Sequence, residues 1–216
     1  MRKTETSKDL PAVVFVVDDD ISMRDALTDL FLSMNLNVEA FETPAAFLER
    51  ARSDRHGCIL LDVRLPGLNG LDFQSHLDRI GNQMPIVFMT GFGDVPMSVK
   101  AMKAGAIDFL IKPFKDQDML DAVAVALKRD LARRRRSSEM KAVQELMRSL
   151  TPRERETMLA VAKGLMNKQI AHQLGISEVT VKLHRGSVMR KLNVRSVADL
   201  VRMVDLLDED RDAPAP

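Results

Sequence analysis

The stretch GCILLDVRLPGLNG, residues 57–70, ends an apolar run on one acid, Asp62, and then breaks on Pro66, Gly67 and Gly70. A carboxylate at the mouth of a hydrophobic strand gives up hydration, so its placement needs a compensating role. Working outward, further short apolar runs lie at Val13–Val17, Val38–Phe41, Ile86–Met89 and Ile107–Leu110, beside Cys58–Leu61 within the stretch itself. Runs such as VVFVV and PIVFM do not alternate polar with apolar residues, which suits strands covered on both faces. Longer amphipathic segments at Ile21–Leu36, Pro44–Ala51, Gly70–Ile80, Val95–Lys103 and Lys115–Leu131 read as helices between and after them. Strands alternating with helices predict a parallel sheet in an α/β fold with right-handed crossovers. Thr43-Pro44 and Asp94-Val95-Pro96 have the composition of helix starts.

In an open parallel sheet the carboxyl ends of the strands share one edge, where such folds place their sites. Asp18, Asp19 and Asp20 follow the first strand, Asp62 the third, Thr90 the fourth and Lys112 the fifth. Clustered carboxylates are tolerable if they hold a hard cation, and Mg²⁺ prefers oxygen ligands. The cation would offset the charge of an incoming phosphoryl group, with Lys112 and Thr90 holding its oxygens and Asp62 acting as nucleophile. Capping of the helix that begins near Ile21 accounts for one or two of the aspartates, but not for polar groups closing four separate apolar strands.

The composition fits a folded protein with room for two modest domains: 216 residues, 45% hydrophobic, net charge +1. No run reaches the roughly 18 apolar residues of a membrane span, and no apolar segment follows the charged N-terminus MRKTETSKDL as a secretory signal would require. A single cysteine, Cys58, excludes an internal disulfide framework; it reads as a small buried hydrophobe in a reducing, cytoplasmic setting. Charge is split along the chain. Residues 1–130 carry 15 Lys/Arg against 20 Asp/Glu and residues 131–216 carry 17 against 11, so an acidic part of net −5 precedes a basic part of net +6. That asymmetry points to a nucleic-acid partner for the second part.

The second part lacks convincing strands. Arg133–Arg136 can meet DNA phosphates or simply be the solvated end of a helix before a linker, and Ser137-Ser138 can cap a new helix whose apolar positions are Met140, Val143 and Leu146-Met147. In residues 165–194, Ile170, Ala171 and Leu174 form the apolar face of a short helix, Gly175 breaks it and Ile176 anchors the turn. Ser177 can cap a following helix with Val181 and Val188 inward and Lys182, His184, Arg185, Arg190 and Lys191 mostly outward. This is a helix-turn-helix pattern, whose second helix can enter a major groove. No Cys/His group has zinc-ligand spacing. The end of the chain, DEDRDAPAP, reads as a frayed tail.

The segments VVDDD (16–20), LLDVRLPGLNG (60–70), MTGFGD (89–94) and AGAIDFLIKPF (104–114) resemble the receiver domain of bacterial two-component response regulators. The resemblance implies a flavodoxin-like (βα)5 fold with sheet order 2-1-3-4-5. It implies Asp62 as the residue phosphorylated by a sensor histidine kinase, and Mg²⁺ held by Asp18, Asp19, Asp62 and the backbone carbonyl of Arg64. Thr90 and Lys112 match the switch hydroxyl and the phosphate-contacting lysine, and Lys112-Pro113 matches a bond that is cis in the family. Phe109 stands at the rotamer-switch position, where core packing is an equal explanation. The segments TPRERETM (151–158) and HRGSVMRKLNVRSVADLVR (184–202) resemble the four-helix DNA-binding domain of LuxR-type regulators. That resemblance puts Thr180, Lys182, His184 and Arg185 near DNA, Lys191 at a phosphate, Asn167 as cap of the scaffold helix, and Leu200, Val201 and Val204 either in a dimer contact or in the core.

Together the two halves resemble the FixJ/NarL class of response regulators, FixJ-type members most closely. The expected organisation is a receiver over 11–130, a helical linker over 131–147, a LuxR-type domain over 148–208 and a disordered tail over 209–216. The expected function is a phosphorylation-activated transcription factor that binds double-stranded promoter DNA as a homodimer and contacts RNA polymerase. It would act on no external substrate, hydrolysing only its own phosphoryl group. An adaptor whose output is protein contact, or a Mg²⁺-dependent phosphatase, are the alternative readings.

Overall fold

A computed structural model of the chain describes residues 12–50, 55–91 and 95–212. These fall into two compact units that divide between Arg134 and Arg135. Asp94, expected to start a helix, and Pro11, the expected first residue of the receiver, lie outside the described residues.

The first unit is a sheet covered by helices on both faces. Its strands are β1 (Val13–Val17), β2 (Asn37–Phe41), β3 (Gly57–Asp62), β6 (Ile86–Thr90) and β7 (Asp108–Ile111), with two short strands, β4 (Arg64–Leu65) and β5 (Leu68–Asn69), paired antiparallel beside them. All pairings within the five-stranded sheet are parallel, in the order β2-β1-β3-β6-β7, which is the expected 2-1-3-4-5 counted over those five strands. The helices are α1 (Ile21–Ser33), α2 (Pro44–Arg50), α3 (Gly70–Arg79), α4 (Val95–Lys103) and α5 (Asp116–Arg148).

The unbroken apolar runs are explained by where alternate side chains go. Val13, Phe15 and Val17 join one core with Phe41, Phe47, Phe73 and Phe88, while Val14 and Val16 join another with Leu27, Phe31, Leu60, Met119 and Val123. In the first core Phe47 meets Phe15, Phe41 and Phe73 edge to face, at centroid distances of 5.6, 5.5 and 5.9 Å. Each such pair adds about 1 kcal/mol to the burial of its area. Cys58 belongs to the second core. Burial, and then the nearby Asp130 charge, pushes its thiol up to about 12, so it is a packing residue.

In the first unit and the helix that leaves it, two features depart from expectation. The β4–β5 hairpin, which turns through Pro66 and Gly67, is too short to show a periodicity. And α5 does not stop near Leu131: it runs to Arg148, with Ser137-Ser138 inside it rather than capping a new helix. Its first part belongs to the first unit and its last part to the second.

The second unit contains α6 (Pro152–Ala162), α7 (Asn167–Leu174), α8 (Glu178–Lys191) and α9 (Val197–Asp212) beside the end of α5. Thr151 and Glu154 form a reciprocal capping box at the start of α6. Gly175 ends α7 at φ 65°, a left-handed conformation that glycine adopts without strain, and the Ser177 hydroxyl accepts the Thr180 N–H to start α8. Ile170, Val181, Val188 and Leu192 fill the core with Val143 and Met147 of α5. Leu200 and Val204 are buried in that core, which resolves their role toward packing. Asn167 is not the cap of α7: it is the first helical residue, after Met166. Of the expected tail, residues 209–212 continue α9 and residues 213–216 lie outside the described set.

Gly57 shows how tightly β1 and β3 are joined. A Cβ there would stand 2.2 Å from the Val13 carbonyl oxygen, a backbone atom that cannot step aside. Gly57→Ala is expected to cost about 3 kcal/mol of first-unit stability, read as a lowered urea midpoint with unchanged slope.

Candidate functional site

The strand ends converge as the topology requires. Asp18 leaves β1, Asp62 ends β3, Thr90 ends β6 and Lys112 follows β7. The Lys112 ammonium donates to Asp18 Oδ2 at 2.6 Å and to Asp62 Oδ2 at 2.7 Å, joining residues from opposite halves of the unit. Lys112 is also held through its backbone, whose N–H donates to the Thr90 carbonyl at 2.7 Å, and the Lys112-Pro113 bond is cis. Asp18 and Thr90 are fully buried, and Asp62 is 7% exposed.

The remaining carboxylate oxygens have backbone partners. Asp62 Oδ1 accepts the Arg64 N–H at 2.9 Å, and Asp18 Oδ1 accepts the Asp20 N–H at 3.0 Å. Asp20 caps α1 by accepting the Ser22 N–H at 2.8 Å, so the cap explanation holds for this one member of the aspartate run. Gly70 sits against the site's underside: a Cβ would lie 2.6 Å from the Asp62 carbonyl oxygen. Its absence lets α3 begin beside the end of β3. Phe109 is half-buried, its ring 6.2 Å from that of Phe88, packed against the first core.

Burial pushes the Asp18 carboxyl above its ordinary value, the nearby Asp62 charge adds to the push, and Lys112 and the Asp20 N–H pull against it. Burial works to lower the Lys112 ammonium, but Asp18 and Asp62 outweigh it and hold the group protonated above its ordinary range. Asp18, Asp19 and Asp62 each offer an oxygen within 4.8 Å of the others. Two buried acids beside one exposed acid, all oxygen donors, are a donor set that fits a hard divalent cation.

In the second unit the exposed face of α8 carries Lys182, with Val179 and Leu183 at 67% and 69% exposure and His184 half-buried. The other residues expected near DNA have partners inside the unit. The Thr180 hydroxyl pairs with that of Ser177 at 2.8 Å, and Arg185 Nη1 donates to Asn167 Oδ1 at 2.8 Å. Lys191 Nζ donates to Glu154 Oε2 at 2.7 Å and to the Ser149 carbonyl at 3.1 Å. Residue reading missed Val179 and Leu183, although their i, i+4 spacing opposite the buried Val181 and Val188 was the available signal. Glu154 reads from the sequence as the early acid of a helix capped at Thr151-Pro152, which it is, but its further partners were not foreseen: it is 5% exposed and accepts from Ser187 Oγ at 2.5 Å as well as from Lys191.

A receiver-like acidic site on one unit and a helix-turn-helix on the other define a response regulator with a DNA-binding output domain. Comparison with known proteins agrees: the response regulator receiver domain model matches residues 14–124, and the model for bacterial regulatory proteins of the luxR family matches residues 148–204. Nodulation protein W of Bradyrhizobium diazoefficiens is 52% identical over 202 residues, 94% of this chain and 89% of that protein. Transcriptional regulatory protein FixJ of Azorhizobium caulinodans is 42% identical over 190 residues, 88% of this chain and 90% of that protein. The solved structure of response regulator StyR aligns with a TM-score of 0.82 at 48% identity, covering 91% of this chain and 99% of that one. The chain belongs to the two-component response regulators with a luxR-family DNA-binding domain, the FixJ type among them, and is a phosphorylation-dependent transcriptional regulator rather than an enzyme in the usual sense.

Glu154 ties the start of α6 to α8. The bonds from Lys191, Ser187 and the Thr151 N–H lower its carboxyl from an ordinary 4.5 to about 2. A depressed carboxyl contributes stability that is complete above about pH 4.5 and is lost as pH falls toward 2. Glu154→Gln should lower protection of α8 amides at pH 7, and the gap to the wild-type chain should close between pH 4.5 and 2 in hydrogen-exchange measurements.

Proposed function

We propose that Asp62 is the phosphoryl acceptor and that a sensor histidine kinase is the donor. Its carboxylate oxygen attacks the phosphorus of a phosphohistidine, the P–N bond breaks, and the leaving imidazole nitrogen takes a proton from water, giving an acyl phosphate on Asp62. The observation that carries this is the Lys112 ammonium bound to Asp62 Oδ2 at 2.7 Å, a fixed positive charge beside the oxygen that gains the group. Asp18, Asp19, Asp62 and the Arg64 carbonyl would hold Mg²⁺, whose chemistry is to neutralise phosphoryl oxygens as charge develops. Lys112 then has a phosphoryl oxygen to bind in place of a carboxylate, and the Thr90 hydroxyl supplies a further donor. Thr90 movement, with Phe109 packing following it, carries the change to α4 and β7. The product hydrolyses slowly, so the only substrate is the protein's own phosphoryl group.

The phosphorylated receiver, residues 11–130, forms a homodimer, and the luxR-type domains, residues 148–208, bind a two-fold promoter site and meet RNA polymerase in the cytoplasm. Among the described residues no helix is long and apolar enough to cross a membrane. Exposed Lys182 and half-buried His184 support contact through α8, with Val179 and Leu183 offering apolar surface to thymine methyls. Thr180, Arg185 and Lys191 lie on the same element, and each reaches DNA only by giving up or sharing the partner described above.

Asp62→Asn should take up no phosphoryl group from acetyl phosphate with Mg²⁺, seen as the absence of the mass increase the wild-type chain shows; normal uptake would remove the assignment. Lys182→Ala should leave phosphorylation intact and weaken promoter binding. It should also reduce the slope of log affinity against log salt by about 1. An unchanged affinity and slope would move the DNA face elsewhere.

A further inference from the structure

Asp130 lies in α5 at the edge of the sheet opposite the acidic site, where it is fully buried. It accepts the Gly57 N–H at the start of β3 at 3.0 Å and His56 Nδ1 at 2.9 Å. The next turn of its own helix supplies Arg133, through Nη2 at 2.6 Å and Nε at 3.2 Å, and Arg134, through Nε at 2.7 Å. Both arginines reach further: Arg133 Nη1 donates to Gln83 Oε1 at 3.3 Å, and Arg134 donates to the Arg55 carbonyl. Burial opposes charge on Asp130, but the bonds from His56, Arg133, Arg134 and Gly57 outweigh it and hold the carboxyl below its ordinary range. Half of the Arg133–Arg136 run is therefore spent inside the first unit, fastening α5 where the sheet ends. The phosphoryl chemistry uses none of these groups.

Beyond this cluster no side chain of α5 is buried for five residues. Every residue from Arg135 to Glu139 is exposed, and burial resumes only at Met140, Val143 and Met147. Serines are poor helix interiors, because their hydroxyls compete for backbone groups. The same serines make good N-caps, and Glu139 would sit favourably in the first turn of a helix begun at either one. The sequence thus encodes a second arrangement, a helix that stops after the first unit and restarts at Ser137-Ser138.

We propose that the Asp130 cluster is a latch on a helix–coil switch: closed, it carries α5 unbroken through Ser137-Ser138, and open, it lets the helix break there. Because α5 runs from the first unit into the second, the latch sets the stiffness of that connection. This holds whether or not Asp62 is the phosphoryl acceptor.

Amide hydrogen exchange of the full chain tests it. In the double variant Arg133→Ala, Arg134→Ala, peptides over residues 131–141 should exchange roughly tenfold faster, while peptides over β1 and α8 keep their rates. Alanine favours helix more than arginine does, so the acceleration runs against intrinsic propensity. Adding Ser137→Ala and Ser138→Ala should restore slow exchange. Unchanged rates at 131–141, acceleration spread through the sheet, or failure of the alanines to reverse it would overturn the proposal. If the arginine variant does not fold, Ser137→Ala with Ser138→Ala in the otherwise natural chain must still slow exchange at 131–141; no slowing also overturns it.

Discussion

The first unit depends on one ammonium lying between two carboxylates. Without Lys112 between Asp18 and Asp62, the sheet would bring two buried acids together at its carboxyl edge with only backbone N–H groups to offset their repulsion. That pairing ties together the ends of β1 and β3 and the chain after β7. It also makes the site responsive, because a cation or a phosphoryl group entering among the acids competes for partners that are already engaged. The Lys112 backbone bond to Thr90 means that a change at the lysine is felt at the end of β6 without passing through solvent.

The second unit solves an analogous problem with the charges reversed. Its acid, Glu154, is the buried partner, and the cation and hydroxyl come from α8. Lys191 and Arg185, which look like free positive charge in a linear reading, are partly committed to Glu154 and Asn167. The basic balance of residues 131–216 therefore overstates the charge available to a nucleic acid, since Arg133 and Arg134 are likewise committed, to Asp130. What α8 offers outward is a smaller set: Lys182 flanked by two aliphatic side chains, and Arg190 toward its end.

Much of this was legible in the chain. Runs such as VVFVV declare a strand buried on both sides, and the acids and lysine that end such runs declare their edge, because few residues tolerate that position without a role. The two short strands after Asp62 were not legible, being too brief to carry a period. Nor was the length of α5, since Ser137-Ser138 is compatible with either a cap or a helix interior. The partners of Asp130 were the hardest to foresee. His56 lies 74 positions away, and an aspartate on a helix near arginines has the appearance of an ordinary solvated face. Asn167 was misread for a related reason: a good capping residue one position too late was put to use across the turn, on Arg185.

The bonds that fasten α8 at Thr151–Glu154 and at Asn167 have a thermodynamic corollary. A helix already held at both its middle and its far end loses little conformational freedom on meeting a ligand. Recognition by such an element is governed by surface complementarity and released counterions, with little free energy diverted to ordering the reader itself.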